Sequence, residues 1–137
     1  MSRILAIDHG TVRIGLAISD PLRIFAKPLK VIPNQGFRAV STQILDLIKD
    51  QEVGMVLLGL PLAIDGSKTP KTLEVEKFGE KLKRLLEVEL IFWDERYSSS
   101  DAEAELRKLG YSWQESRSLR DAMAAAMILK NYLENNA

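Results

Sequence analysis

The sequence predicts a single α/β domain over residues 1–137, in which helices flank a mixed five-stranded sheet. Three observations predict this class. The length of 137 residues is usual for one domain. Three short apolar segments near the N-terminus follow one another with only turns between them, as in antiparallel hairpins. Two further apolar segments are each reached through a segment of helical periodicity, as in parallel strands with helical crossovers.

The first three strands are predicted at residues 3–8, 14–19 and 24–32. A glycine turn joins the first two strands into a hairpin, and Asp20 with the proline after it begins the next turn. Pro28 lies inside the third strand and indicates a sheet edge or a bulge, because proline has no amide hydrogen to donate to a neighbouring strand.

The middle of the chain is predicted to alternate between helices and strands. Apolar residues at helical spacing predict a helix over 37–50, and the near-continuous apolar run at 54–62 is typical of a buried parallel strand. Thr69 followed by Pro70 predicts the start of a helix that continues to about Glu87, since threonine caps helices and proline favours their first position.

The last third of the chain is predicted to contain one strand and two helices. The strand covers 88–95, which is apolar until its final acids. Ser100 and Glu103 have the spacing of a capping box, and they predict a helix that stops at Gly110. A long final helix is predicted over 118–133, with no linker or internal repeat before it.

The composition excludes several classes of protein. The chain has no cysteine, so neither a disulfide scaffold nor a thiolate metal site is possible, which suits a reducing cytosol. No apolar run approaches the roughly 18 residues of a membrane span. The N-terminus lacks the layout of a signal peptide, and we therefore expect a cytoplasmic protein without membrane contact. The formal net charge of zero argues mildly against stable, nonspecific binding of nucleic acid, but it does not exclude an enzyme.

Two acids follow predicted strands. Asp8 ends the first strand before a glycine turn, where it is either a turn residue or a metal ligand. Glu95 ends the last strand and shares a strand face with Ile91 and Trp93. The alternative for Glu95 is that the strand reaches water at this point and becomes polar.

A third acid, Asp121, lies on the face of the final helix that is otherwise suited to packing against the sheet. That stripe consists mainly of small and apolar residues, namely Ala124, Ala125, Ile128 and Tyr132. The alternative is a capping box in which Ser118 and Asp121 satisfy backbone amides at the start of the helix.

Taken together, Asp8, Glu95 and Asp121 favour a metal site. Open α/β sheets bind ligands at the carboxyl ends of their parallel strands, and a helix packed on the sheet could bring Asp121 to that edge. Three carboxylates facing one point repel each other unless divalent cations neutralise them, and hard oxygen ligands suit Mg²⁺ or Mn²⁺. A pair of such ions about 4 Å apart can activate water and stabilise the leaving oxygen in phosphodiester cleavage.

Four sequence blocks occur in order along nearly the whole chain: "AIDHGTVRIGLAISD", "GLPLAIDGS", "DERYSS" with "AEAEL" after it, and "RDAMAAAMILKNYL". In this order they resemble the YqgF/RuvX family of pre-16S rRNA nucleases, also described as Holliday-junction-resolvase-like. The resemblance implies a ribonuclease H-like fold, which agrees with the predicted strand order. It also implies Asp8, Glu95 and Asp121 as the acidic, metal-binding and catalytic set.

The resemblance implies the partners as well. It suggests hydrolysis of nucleic acid with 5′-phosphomonoester products, maturation of the 5′ end of the small-subunit ribosomal RNA precursor, and contact with ribosomal particles. Branched DNA is an alternative substrate, and we expect a monomer or a weak homodimer.

Three arginines are candidates for substrate binding. Arg13 and Arg96 are expected nearest the acids, where each either contacts a phosphate of the substrate or pairs with an acid to orient it. Arg120 stands beside Asp121 at a position where the family often has lysine, and both residue types can meet phosphate. His9 stands where the family often has an aromatic residue. A catalytic or ligand role for this histidine is the less favoured interpretation.

Two other functions compete with the nuclease. "DHGTVRIG" also resembles the first phosphate loop of the actin–hexokinase–sugar-kinase superfamily, although that superfamily binds nucleotide between two such domains. A non-catalytic RNA-binding or assembly protein that keeps an old nuclease site is the second alternative.

Overall fold

The computed structural model describes residues 2–96 and 102–136. In chain order, its elements are β1 (Arg3–His9), β2 (Arg13–Ser19), β3 (Ala26–Pro33), α1 (Phe37–Asp50), β4 (Val53–Leu60), α2 (Pro70–Lys83), β5 (Glu89–Asp94), α3 (Ala102–Lys108), α4 (Trp113–Ser118) and α5 (Arg120–Asn135). Within the described residues, none of the helices combines the length and apolar character that crossing a bilayer requires.

The five strands form one mixed sheet in the order β3-β2-β1-β4-β5. The first three strands pair antiparallel, whereas β4 pairs parallel with both β1 and β5. The predicted α/β class with a mixed five-stranded sheet is therefore confirmed. Strand β1 lies at the centre, and its carboxyl end shares one edge of the sheet with the carboxyl ends of β4 and β5.

Each face of the sheet carries its own apolar core. Leu5 and Ile7 of β1 belong to the core beneath α1 and α2. Ile4 and Ala6, which point to the other side because strand residues alternate, belong to the core beneath α5. This alternation assigns Asp8 to the α5 side and His9 to the α1 and α2 side.

The turn and edge signals of the sequence are confirmed. Strand β3 lies at the sheet edge, and its pairing with β2 is irregular beside Pro28. Asp20 accepts backbone hydrogen bonds from Ile24 and Phe25, as a turn residue does. Thr69 caps α2, and its hydroxyl accepts a hydrogen bond from the amide of Thr72.

Several boundaries in the second half differ from prediction. Helix α2 ends at Lys83 rather than near Glu87. Helix α3 ends at Lys108, two residues before Gly110, whose φ of 98° closes it. The predicted capping box of Ser100 and Glu103 lies outside the residues whose side chains are described.

The short helix α4 was not predicted, and it changes the start of the final helix. Ser112 and Glu115 form a reciprocal capping box that begins α4. Ser118 is the last residue of α4, and its hydroxyl donates to the carbonyl of Glu115. The alternative capping box of Ser118 with Asp121 is therefore wrong, since α5 starts at Arg120 and has no side-chain cap.

Helix α5 packs directly against β2 at Gly15. A Cβ atom at this position would overlap the backbone carbonyl of Asp121 and lie 2.9 Å from the amide nitrogen of Ala122. Only a residue without a side chain allows this contact, and the contact fixes where the first turn of α5 lies on the sheet.

We expect Gly15→Ala to destabilise the protein by about 1–3 kcal/mol, because the added methyl group meets backbone atoms that cannot rotate away. Urea unfolding measures this loss of free energy. Gly54→Ala on β4, made and compared in a Ser2→Gly background, is the matched control, because the two Ser2 side-chain atoms that the methyl group would meet are then absent. Equal destabilisation by the two variants would contradict the proposed close packing at Gly15.

Candidate active site

Asp8 and Asp121 are brought together by the close approach of α5 to β2. Asp8 is paired across the sheet with Gly15, and Gly15 contacts the backbone of Asp121. Asp121 is the second residue of α5, so its carboxylate lies at the helix start on the same side of the sheet as Asp8. The predicted arrival of Asp121 at the edge that contains Asp8 is consistent with this geometry.

Glu95 reaches the same region over a second glycine. Glu95 directly follows β5, and a Cβ atom on Gly59 of β4 would lie 2.5 Å from its Oε2 and 2.7 Å from Ile128 of α5. Ile7 of β1 is paired with Leu58 of β4. The next residues of these two strands, Asp8 and Gly59, therefore lie at the same level of the sheet. Glycines on both strands beside β1 therefore leave room for the two other acids to approach Asp8.

The electrostatics of the acids reflect this gathering. Burial, followed by the negative charge of Asp121, raises the pKa of Asp8 to about 6. Burial, followed by the charge of Asp8, raises the pKa of Glu95 to about 7. The positive charge of Lys71 opposes both shifts. Asp8 is thus the central member, with an acid on either side.

Arg13 is paired with Asp121. Its Nε atom donates to Oδ2 of Asp121 at 2.9 Å, and the arginine side chain is 51% exposed. This contact corresponds to the alternative in which the arginine orients an acid. Half of the Arg13 side chain faces solvent and is accessible to a substrate. Its contact with a substrate phosphate stays a prediction.

Arg96 and Arg120 differ in their surroundings. Arg96 donates to Asp94 through Nη2 at 2.7 Å and to the carbonyl of Ile64 at 3.1 Å, which joins the end of β5 to the loop after β4. Hydrogen bonds from Arg96 hold the pKa of Asp94 below its usual value. Arg120 is the exposed first residue of α5. Substrate binding by either arginine stays a prediction.

Lys71 is a site residue that the sequence analysis missed. It lies in the first turn of α2, where its Nζ atom is 3.3 Å from the hydroxyl of Thr11 and 3.6 Å from Glu74. The available signal was topological: α2 follows β4, so its first turn must lie near the carboxyl edge of the sheet, where Asp8 was already expected.

His9 does not face the acids. It is 8% exposed on the opposite side of the sheet, and its ring centroid lies 4.4 Å from that of Phe78. Burial and then the charge of Lys71 lower its pKa, which favours the neutral imidazole. A role as a ligand beside Asp8 is therefore not supported by its orientation.

The chemistry of the acids fits a hard divalent cation. Among the side chains that the structure describes, no group of three or more histidines or acids is arranged so that it could hold a metal ion. Asp8 and Glu95 nevertheless have raised pKa values because they are buried near other carboxylates, and a cation offsets that cost. Asp8, Glu95 and Asp121 would hold Mg²⁺ or Mn²⁺, which would supply activation of water and stabilisation of the leaving oxygen.

Comparison with known proteins identifies the family. The model of the RuvX family, described as Holliday junction resolvase, matches residues 2–135. The chain belongs to the RuvX family. A "Putative pre-16S rRNA nuclease" of Maridesulfovibrio salexigens is 40% identical over 131 residues, covering 96% of this chain and 97% of the relative. A relative with the same name from Endomicrobium trichonymphae is 37% identical over 135 residues, covering 98% and 96%.

Solved structures share the fold of this RuvX chain. RuvC of T. thermophilus in complex with a Holliday junction substrate has a TM-score of 0.64 at 14% identity, covering 99% of this chain and 97% of that chain. Fowlpox virus resolvase with Holliday junction DNA has a TM-score of 0.60 at 12% identity, covering 97% of each chain. The expected ribonuclease H-like fold is confirmed, and the family supports a nuclease over a nucleotide-binding module.

We expect Asp8→Asn to stabilise the metal-free RuvX protein at pH 8 by about 1–3 kcal/mol, because it removes a buried charge whose pKa is raised. The native state keeps its proton to a higher pH than the unfolded state does. The contribution of Asp8 to the stability therefore falls as the pH rises from about 4 to 7 and then levels off. Urea unfolding with EDTA at pH 4 and pH 8 measures this. The gain should be absent at pH 4, and an equal gain at both values would contradict the electrostatic explanation.

Proposed function

We propose that this protein is a metal-dependent nuclease that matures the 5′ end of the small-subunit (16S) ribosomal RNA precursor in the cytoplasm. The observation that carries the proposal is the gathering of Asp8, Glu95 and Asp121 at the carboxyl edge of the sheet, with raised pKa values for Asp8 and Glu95. Buried acids that repel each other are unfavourable for stability alone, but they are suited to binding a divalent cation beside a phosphate.

In the proposed reaction, the acids bind the metal ion and Arg13 contacts the substrate. Hydrolysis adds water to phosphorus, breaks the bond to the 3′ oxygen of the preceding nucleotide, and leaves a 5′-phosphomonoester. Mg²⁺ or Mn²⁺ would supply the activated water and stabilise the leaving oxygen. Arg13 holds Asp121 in place and exposes part of its guanidinium, which would meet a phosphate oxygen of the substrate.

Similarity to named relatives supports ribosomal RNA as the substrate. The relatives named for pre-16S rRNA match this chain over nearly the full length of both proteins. The net charge of zero fits a substrate that is presented by a ribosomal particle and does not have to be captured by bulk charge. Precursor ribosomal RNA within such particles is therefore the substrate we propose.

Asp8→Asn and Glu95→Gln should each reduce cleavage of a 5′-extended 16S precursor RNA by on the order of a hundredfold or more, because each removes several kcal/mol of charge stabilisation. Gel analysis of the RNA with Mg²⁺ or Mn²⁺ measures this, and EDTA should abolish cleavage by the wild type. Asp20→Asn is the control, since Asp20 accepts backbone hydrogen bonds in a turn away from the three acids. Equal cleavage by wild type and Asp8→Asn would contradict the assigned site, and no cleavage by the wild type would favour a non-catalytic binding protein.

Mn²⁺ should raise the melting temperature of the wild type by a few degrees, because an ion that binds only the folded state stabilises it. Asp8→Asn should remove most of this effect, since it replaces the central carboxylate. Differential scanning fluorimetry over a Mn²⁺ titration measures both shifts. Equal shifts for the two proteins would place the ion elsewhere.

Cleavage of branched DNA is the second candidate function. The family description and the fold shared with RuvC favour it. Symmetric resolution of a four-way junction requires two active sites, which a twofold dimer supplies. Light scattering together with cleavage of a synthetic junction tests this candidate. A monomer that cuts precursor RNA but leaves the junction intact supports the ribosomal function, and a dimer with paired symmetric cuts in the junction would replace it.

A further inference from the structure

A pocket of about 240 Å³ lies on the opposite side of the sheet from the acids, between the end of β1 and the face of α2. His9 and Phe78 lie at its inner side, and Phe37, the half-buried first residue of α1, forms part of its rim. Asn34 closes another side, where its amide donates to the carbonyl of Gly10 at 2.9 Å. None of these residues has a part in the proposed hydrolysis.

The inner part of the pocket is aromatic. The rings of His9 and Phe78 lie 4.4 Å apart, and the ring of Phe37 meets Phe78 edge-on at 5.8 Å. The Nδ1 atom of His9 is buried and has no hydrogen-bond partner among the described residues. His9 and Phe78 are buried, so the partly exposed ring of Phe37 is the surface on which a nucleobase can stack, because every base has a π-face.

The outer part of the pocket carries two lysines, Lys77 and Lys81, and one acid, Glu74, so its net charge is positive. Lys77 and Lys81 stand one helical turn apart on α2 and both line the pocket. Within the described part of the chain neither forms an ion pair, whereas Lys71 and Lys83 of the same helix pair with Glu74 and Glu80.

Lys81 also presents its charge together with an aromatic ring. Its Nζ atom lies 5.4 Å from the centroid of the Phe37 ring. A cation placed beside a partly exposed ring can contact a phosphate while the ring contacts the attached base.

The pocket is connected to the acids at the edge of the sheet. His9 directly follows Asp8, and the Lys71 amino group reaches Thr11 in the turn after β1. Lys71 and Lys81 are ten residues apart on α2, which corresponds to about 15 Å along the helix. A single strand that leaves the acids can cross this turn and continue along α2 within a few nucleotides.

We propose that this pocket binds one nucleotide of the single-stranded part of the substrate near the cleaved bond. The base packs on the ring of Phe37, and the phosphate contacts Lys77 and Lys81. This proposal rests on the proposed function, because it takes the substrate to be nucleic acid.

Binding of a short single-stranded RNA to the Asp8→Asn protein tests the proposal by fluorescence anisotropy. Replacing nucleotides one at a time by abasic ones should reveal a position where affinity falls about tenfold, since stacking is lost there. Phe37→Leu should weaken binding similarly and remove the sensitivity at that position. Lys77→Ala and Lys81→Ala should each reduce the salt dependence by about one phosphate contact. Lys83→Ala is the matched control and should leave affinity and salt dependence unchanged.

The outcomes separate this inference from the proposed function. If the wild type cleaves RNA but the abasic pattern is unchanged in Phe37→Leu, and Lys77→Ala and Lys81→Ala bind as Lys83→Ala does, the pocket is not a nucleotide site. If the pocket-dependent pattern is found but the wild type cleaves no RNA, the pocket proposal stands and the proposed function fails. Absence of RNA binding by the Asp8→Asn protein would overturn the pocket proposal as well.

Discussion

Burial of neighbouring carboxylates at the carboxyl edge of the sheet, together with the repulsion between them, is the constraint on which the rest of the structure depends. Asp8 and Glu95 are both held in an environment that favours their neutral forms. Lys71 in the first turn of α2 offsets part of this cost, and Arg13 pairs with Asp121, the acid beside Asp8. The remainder must come from the two apolar cores, because charge compensation at partly exposed pairs is weak.

Packing in the cores and the positions of the acids both depend on close contacts at two glycines. Gly15 and Gly59 have no packing value of their own, yet they determine how near α5 and the Glu95 carboxylate can come to Asp8. A side chain at either position would overlap these neighbours and push the acids apart. The glycines at these positions therefore maintain the geometry of the site. Two effects of this arrangement lower the stability of the fold, namely the backbone entropy that glycine loses on folding and the repulsion between the acids.

The sequence predicts the strands and the acids better than it predicts their surroundings. Strand alternation assigns Glu95 to the face of Ile91 and Trp93, and both of those side chains do pack in the core beneath α5. This works because strand periodicity is local. Lys71 was missed because its importance comes from the sheet edge that it reaches, which is a tertiary property. Helix α4 was missed because six residues hold too few turns for a periodic signal, and its capping box was the only local clue.

A net charge of zero is compatible with binding of nucleic acid, because the charges are unevenly distributed over the fold. The 19 acidic and 19 basic residues cancel in the sum, but several of the acids are buried or paired, whereas Lys77 and Lys81 face an open pocket on α2. A substrate strand would therefore meet a local positive surface and a separate acidic edge, instead of a uniformly basic protein. Such a surface attracts few phosphates, so it gives modest affinity with a shallow salt dependence. Under the proposed function, recognition depends on the shape of the RNA and on the particle that presents it.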